Sequence, residues 1–331
     1  RALRPAPLVS LSTTMEETEI NAMRIAIVGA GAMGSIFGAM LSNASEVALV
    51  DPFEEHIRAI MENGLTVERN DGSREIFRLH GTSDPATLAP DFDLAVIFTK
   101  SPETRAAALT ADTLLKPGGM AITLQNGLGN LDEVARVLGT SRSLVGVTSH
   151  GGTMIGPGHV RHAGEGPTFV AGAAPDTQGI QAVVSAFRAA GIDTDRTEDP
   201  DTLIWGKLII NVGINALAAI LRVPNGALVQ APPCEAIMAK AVAEAVAVAE
   251  RLHINLPYDD PLARVKLVCR NTAENRASML QDVLKGARTE VGVINRAVVE
   301  NGDRLGVPTP CNRFLSEIIE ALEATAPHRI E

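Results

Sequence analysis

Three polar side chains interrupt an otherwise apolar stretch at Lys207, Asn211 and Asn215, spaced four residues apart. At 3.6 residues per turn they form one stripe on a helix whose other faces carry Leu208, Ile209, Ile210, Val212 and Ile214. An ammonium and two amides in such a setting need partners, because unpaired polar burial costs several kcal/mol in order of magnitude. A desolvated lysine is also a candidate general acid, since burial pulls its pKa toward neutrality. The alternative is that Lys207 snorkels to water while the amides satisfy nearby carbonyls. Asn275, Ser278 and Asp282 recur at i, i+3 and i+7 and are expected on one face of a second helix. Glu290 opens the helical span that follows. There it could be a simple N-terminal carboxylate, or the counterion that holds and tunes Lys207.

A second chemistry is written near the start of the chain. Gly29-Ala30-Gly31-Ala32-Met33-Gly34 follows the apolar run Met23–Val28 and leads into a helical pattern. In a strand–turn–helix context, the first glycine of GxGxxG permits a tight turn and the second lets backbone approach a pyrophosphate. The third permits close helix–strand packing. The helix N-terminus then supplies N–H donors for phosphate oxygens. Asp51 ends the second strand, 22 residues after Gly29, where a carboxylate accepts hydrogen bonds from ribose hydroxyls. Pro52, Phe53, Glu54 and Glu55 follow, and the nearest cation is Arg58. That surrounding predicts NAD(H) in preference to NADP(H), although an Asp at this position could also serve only as a helix cap.

These residues need elements to carry them. Apolar strand-like runs at Met23–Val28, Val47–Val50, Leu94–Phe98, Met120–Leu124 and Leu144–Val147 alternate with helical spans, which implies a parallel sheet covered on both faces. From Val160 to Val170 short Gly- and Pro-broken strands suggest an antiparallel extension. The acidic segment GIDTDRTEDPD at 191–201 marks a boundary, beyond which everything reads as helix: Leu203–Leu221, Pro233–Leu252, Leu262–Asp282, Glu290–Leu305 and Asn312–Ala324. The expected fold is α/β: a Rossmann dinucleotide-binding domain over residues 23–199, then an all-α substrate domain over 200–331. Residues 1–22 lack the apolar core of a signal peptide and are expected to be a disordered extension, with Met15 or Met23 as the natural start.

Composition narrows the function classes. With 331 residues, 46% of them hydrophobic, the chain can bury two cores, and its net charge of -10 argues against a nucleic-acid partner. Cys234, Cys269 and Cys311 are odd in number and far apart, so neither a disulfide framework nor a zinc site is expected and a reducing cytoplasm fits best. His159 and His162 lack carboxylates at ligand spacing, so no metal is expected. Leu203–Leu221 is long and apolar enough to span a bilayer, but three polar groups on one face make it a buried soluble helix and no membrane is expected. The apolar helices of the second half could equally support a homodimer.

Together these residues resemble the ketopantoate reductase family. The likeness runs from Met23 to about Leu322 and rests on several segments. They are GAGAMG, Thr99-Lys100, Gln125-Asn126-Gly127-Leu128-Gly129, Trp205-Gly206-Lys207 with Asn211 and Asn215, Val223-Pro224-Asn225-Gly226, Glu274-Asn275, Ser278–Asp282 and Thr289-Glu290. The resemblance implies Lys207 as proton donor to a 2-oxo acid carbonyl. It implies Asn211, Asn215, Asn225 and Ser278 as substrate ligands, with Asn275 and Asp282 supporting the pocket. It also implies Lys100 and Asn126 at the nicotinamide end, Gly151 at a backbone cofactor contact and Glu290 at the junction of the two ligands. Asp51-Pro52 departs from the basic residue that many members carry past the second strand. That departure resembles an NAD-using branch whose members include dehydrogenases of other bulky D-2-hydroxy acids. Hydroxyisobutyrate-type dehydrogenases share a GxGxMG start and a Lys four residues before an Asn, but do not require QNGLG, the PNG turn or SMLQD. A non-catalytic NAD sensor would have no need of Lys207 or Glu290.

Overall fold

The computed structural model describes residues 23–174, 177 and 179–328. The expected disordered extension at 1–22 lies outside the described residues. In chain order the first half runs β1 (Arg24–Val28), α1 (Ala32–Leu41), β2 (Glu46–Val50), α2 (Glu54–Asn63), β3 (Leu65–Arg69), β4 (Arg74–Phe77), β5 (His80–Thr82) and β6 (Phe92–Ile97). It continues with α3 (Thr104–Leu114), β7 (Leu115–Thr123), α4 (Asn130–Leu138), β8 (Ser143–Thr148), β9 (Gly151–Gly156), β10 (His159–Gly164), β11 (Thr168–Gly172), α5 (Ile180–Ala189) and β12 (Thr194–Arg196). Helices follow: α6 (Pro200–Leu221), α7 (Pro232–Arg251), α8 (Pro261–Asn271), α9 (Ser278–Leu284), α10 (Asn295–Leu305) and α11 (Pro310–Ala324).

Among the described residues, the main sheet has eight strands in the order β12-β11-β8-β7-β6-β1-β2-β5. All its pairs are parallel except β11 with β8. Strand order reverses about β1, so β2 and β6 lie on opposite sides of it and a crevice opens beyond their carboxyl ends. The two faces of the sheet differ in texture. Ile25, Ile27, Leu49, Leu94, Val96 and Ile122 pack with Ile36 and Phe37 of α1 and Phe187 of α5. Alternate residues Ala26, Ala48, Ala95 and Ala121 face the other way, against Ala107, Ala108 and Ala111 of α3. Small residues on both sides let α3 lie close to the strands, which is the period-2 alternation of a sheet covered twice.

A smaller sheet, β4-β3-β10-β9, stands beside the first. It is the surprise relative to the sequence reading, which anticipated an antiparallel extension near 160–170 but not its partners β3 and β4. Those strands are half polar (LTVER, REIF) and pair across a turn, so no apolar run announces them.

The helix carrying Lys207 begins where proline permits and a cap demands. Pro200 occupies its first turn, where a missing N–H is harmless, and the Asp199 carboxylate accepts from the Thr202 N–H at 3.0 Å. Among the described residues α6 is the one helix long and apolar enough to cross a membrane, yet 67% of its most apolar window is buried against the other helices. Two expected helical spans are corrected. Leu262–Asp282 is not continuous: α8 stops at Asn271 and α9 starts at Ser278, so Asn275 lies in the connecting loop and not on a helical face with Ser278 and Asp282. Glu290 does not open a long helix either, since it precedes a single tight turn at Val291–Val293 and α10 begins only at Asn295.

The alanine face yields a paired test. Ala108→Leu, at a site with no exposure, is expected to cost about 1–3 kcal/mol through overpacking. Leu109→Ala, at a side chain 53% exposed, should stay within about 0.5 kcal/mol. Urea unfolding of both variants checks the difference.

Candidate active site

The glycine loop is built by close approach. Gly29 has φ +96°, and a Cβ there would stand 2.5 Å from the Thr99 nitrogen. A Cβ on Gly34 would meet the Gly29 carbonyl oxygen at 1.9 Å, so the first turn of α1 sits directly on the loop. Gly31 is different: nothing lies within 4 Å of where its Cβ would be. The first intrahelical bond runs from the Ser35 N–H to the Gly31 carbonyl, and no side chain caps the turn. Free N–H groups at a helix start with open space beside Gly31 fit a phosphate-bearing ligand. Beneath the loop, Ser35 Oγ donates to the Ala30 carbonyl at 2.8 Å and lies 3.0 Å from Nε2 of the fully buried His56. The Gly158 N–H donates to Nδ1 of the same ring at 2.9 Å. Burial pushes His56 below its ordinary value, so the ring stays neutral and ties the loop to the smaller sheet.

A cavity of about 460 Å³ extends from this loop to α6. Of the residues singled out from sequence, Gly29, Gly31, Ala32, Met33, Asp51, Lys100, Asn126, Lys207, Ser278, Asp282 and Glu290 line it. Ala30 and Gly34 are buried under the loop and shape it from behind. Gly151 is not in the wall, where its neighbour Gly152 stands instead. Asn211, Asn215, Asn225 and Asn275 do not line it either. The Asn225 N–H donates to the Asn275 carbonyl at 3.0 Å and its amide donates to Thr272 Oγ1 at 2.9 Å. The buried Oδ1 of Asn225 makes no hydrogen bond among the described residues. Asp51 Oδ1 accepts from the Phe53 N–H at 2.8 Å, which braces the turn before α2 while the residue also faces the cavity.

Lys207 is partly buried on the far wall, and its ammonium donates to the Thr148 carbonyl at 2.9 Å. Loss of hydration lowers its pKa to about 8, with the negative charge of Glu290 acting in the opposite direction. Glu290 is not its hydrogen-bonded counterion, contrary to one of the two readings from sequence. The Ser101 hydroxyl donates to Oε1 at 3.1 Å and the Asn126 amide to Oε2 at 3.1 Å. Ser101 opens a short 3-10 turn after β6 and Asn126 lies in the loop after β7, so Glu290 joins the helical half to the carboxyl edge of the sheet. Lys100 makes a second such link, donating to Asp282 at 2.7 Å. Burial raises the Asp282 pKa, offset in part by that ammonium. Among the described residues no group of three His, Cys, Asp or Glu side chains is placed to hold a metal.

Three participants escaped sequence reading. Thr148 acts through its backbone carbonyl, which leaves no trace in residue type. Ser101 is an unremarkable loop hydroxyl beside Lys100, and its only signal was that position. His150 lines the cavity, but its partner is twelve residues away on another strand.

Comparison with known proteins places this arrangement. Residues 25–175 match the family model described as ketopantoate reductase PanE/ApbA, and residues 199–323 match its C-terminal counterpart. A 2-dehydropantoate 2-reductase of Halobacterium salinarum is 38% identical over 300 residues, covering 90% of this chain and 98% of that one. A homologue of the same name from Archaeoglobus fulgidus is 32% identical, covering 91% and 98%. Among solved structures, a PanE/ApbA family ketopantoate reductase from Ralstonia eutropha superposes with TM-score 0.84 at 33% identity, covering 92% of this chain and all of that one. A D-mandelate dehydrogenase with NADH and anilino(oxo)acetate superposes with TM-score 0.85 at 28% identity, again covering 92% of this chain and all of that one.

The two loop glycines separate packing from binding. Gly34→Ala should lower both the melting temperature and dinucleotide affinity, because its methyl meets backbone. Gly31→Ala should leave the melting temperature within about 2 °C, a shift worth about 1 kcal/mol at this chain length. Its methyl should still weaken dinucleotide binding by about tenfold or more by occupying the open side, which corresponds to 1.4 kcal/mol. Thermal melts and fluorescence titrations with NADH read the two effects.

Proposed function

The chain belongs to the ketopantoate reductase family, and on that premise we propose that it reduces a branched 2-oxo acid, 2-dehydropantoate foremost, using NADH, with Lys207 as the general acid. One observation carries the reading: a lysine with its pKa drawn down to about 8 shares a cavity with an open glycine loop. A second substrate within the same chemistry has its own support. The superposing D-mandelate dehydrogenase is a 2-hydroxy acid enzyme with NADH, so another bulky 2-oxo acid is the alternative.

When bound, the reduced nicotinamide supplies hydride to the ketone carbon. The residues of the chain do the rest. In this reading the N–H groups after Gly31 hold the pyrophosphate and Asp51 accepts from the adenosine ribose. Lys100 and Asn126 stand at the nicotinamide end of the cavity. Gly151 is assigned no contact of its own, its neighbour Gly152 being nearer. Ser278 supplies a donor for the substrate carboxylate or hydroxyl from the cavity wall; Asn211, Asn215 and Asn225 are substrate ligands by the family resemblance alone and stand outside that wall, and Asn275 steadies Asn225 through its carbonyl. As charge develops on the ketone oxygen, the Lys207 ammonium stabilises it and transfers a proton from Nζ. Throughout, the Thr148 carbonyl keeps Nζ in place. Glu290 orients Asn126 and favours the protonated form of Lys207 without binding it. The division of labour follows two lobes that meet at Asp199, a dinucleotide lobe before it and a substrate lobe after it.

Two experiments test this. Lys207→Ala should lower kcat for 2-dehydropantoate reduction by about 10²–10⁴, the usual size of general-acid help, and leave NADH affinity within about threefold. Because the acid form is the active one, reduction should decline above pH 8 and the reverse oxidation should rise through the same range. Near-normal turnover in the variant would remove Lys207 from the chemistry. The second experiment compares kcat/KM with NADH and NADPH on a panel of 2-oxo acids. NADH should win, and Asp51→Asn should narrow the gap by removing the charge that opposes a 2′-phosphate. A wild-type preference for NADPH above tenfold would refute the assignment of Asp51.

A further inference from the structure

His150 and His162 form an imidazole pair in the wall of the same cavity. His150 follows β8, two residues beyond the Thr148 carbonyl that holds Lys207, and lines the cavity together with Gly31 and Met33 of the glycine loop. His162 lies behind it on β10, 5% exposed. The rings are 14° from parallel with centroids 5.1 Å apart, and Nδ1 of His150 is 2.9 Å from Nε2 of His162. Phe37 of α1 packs edge-on against the His150 ring at 5.4 Å, which fixes its plane.

The hydrogens can be assigned. Burial pushes both imidazoles below their ordinary value; the neighbouring ring lowers His150 further and Arg69 lowers His162 further, with Glu165 opposing at both. Each ring is therefore neutral at pH 7, with one N–H and one lone pair. Nδ1 of His162 is 3.6 Å from the Glu165 carboxylate, which Arg69 already holds at 2.8 Å, and the ring also bonds the Gly164 backbone; with Nε2 turned to His150, the hydrogen is placed on Nδ1. Nε2 of His162 is then the acceptor, and the bond between the rings runs from Nδ1–H of His150 to Nε2 of His162. What remains is a lone pair on Nε2 of His150. That nitrogen makes no hydrogen bond among the described residues and is not among the sealed polar atoms, so it is open toward the cavity its ring lines.

We propose that the hydrogen bond from His150 to His162 fixes the tautomer that presents His150 Nε2 as an acceptor to an O–H or N–H donor on the nicotinamide nucleoside of the bound cofactor. The location within the cavity selects that half of the ligand. The glycine loop takes the pyrophosphate and Lys207 marks the reacting carbonyl; His150 joins the two, lying two residues after the Thr148 carbonyl that holds Lys207 and two before Gly152, which packs on Met33 of the loop. Donors there are the ribose hydroxyls and the carboxamide NH2. This inference rests on the nicotinamide chemistry proposed above but not on which 2-oxo acid is reduced.

Fluorescence titration of the full chain with NADH, without substrate, tests it. His150→Phe keeps a ring against Phe37 and removes the lone pair. It should raise the NADH Kd by about 5–10-fold, the loss of one net hydrogen bond. His150→Gln, whose amide oxygen reaches to the Nε2 position, should recover most of that loss. Repeating the His150→Phe comparison with the 3-acetylpyridine analogue, which lacks the amide N–H, identifies the donor. A mutant penalty that vanishes assigns the carboxamide, and one that persists assigns the ribose. Wild-type affinity in His150→Phe at an unchanged melting temperature, or no recovery in His150→Gln, would overturn the proposal. NADH binding without turnover of any 2-oxo acid would refute only the substrate reading.

Discussion

An ammonium withdrawn from water must be hydrogen-bonded, and here the bond from Lys207 to the Thr148 carbonyl meets that requirement. It fixes where the long helix must lie against the end of β8, and much of the helical half exists to hold that helix. The Asp199 cap starts α6 at the point that brings Lys207 level with the strand ends, and α7, α8, α9 and α11 bury its apolar sides. Burial without a contact ion pair is what leaves the amine titratable near neutrality. Had Glu290 bonded it directly, Coulomb attraction would have returned the pKa toward its usual range. Glu290 is occupied instead by Ser101 and Asn126, so its charge is felt at Nζ without capturing the proton.

The same economy applies to charge over the whole chain. A net charge of -10 repels anions at long range. In the proposed reading, affinity for phosphates and carboxylates comes from groups in the cavity wall, namely backbone N–H groups at one helix start, Lys100, Lys207 and Lys285, and the Gln125, Asn126 and Gln281 amides. One of those lysines is already engaged: Lys100 holds Asp282 across the cleft. Polar links of this kind, with the Leu128 N–H donating to the Val293 carbonyl at 3.0 Å, make up much of the contact between the two halves near the site.

Legibility in the sequence followed periodicity and residue type. β1, β2, β6, β7 and β8 were readable because strands buried on both faces are continuous apolar runs. The glycine loop was readable because its geometry excludes other residues. β3 and β4 were not, since they carry charges such as Glu68 and Arg74, whose side chains pair with each other, in place of an apolar run. Spacing failed at Asn275 for a definite reason: the i, i+3, i+7 pattern was real, but the backbone turns away at Thr272, where its hydroxyl bonds the Val268 carbonyl and the helix ends. At the site itself, side chains on predicted helices could be named, whereas backbone acceptors such as the Thr148 carbonyl and partners distant in sequence could not.

The three neutral histidines have a consequence for how the molecule meets acid. His56, His150 and His162 all belong to the sheet half, and each must gain a proton on unfolding below about pH 6.5. The folded form resists that protonation, so stability declines as pH falls. Glu68, Asp71 and Asp93, also in the sheet half, are held below the usual carboxylate range and act in the same sense at lower pH. The helical half is weighted toward the other end. Tyr258 is pushed up to about 12 and Cys269 to about 11, so folding there opposes deprotonation and loses stability as pH rises past 9 or 10. Lys207 works partly against this alkaline loss, since its own burial becomes easier once it is neutral. The two halves thus carry opposite protonic stresses, and the sheet half is the one that acid reaches first.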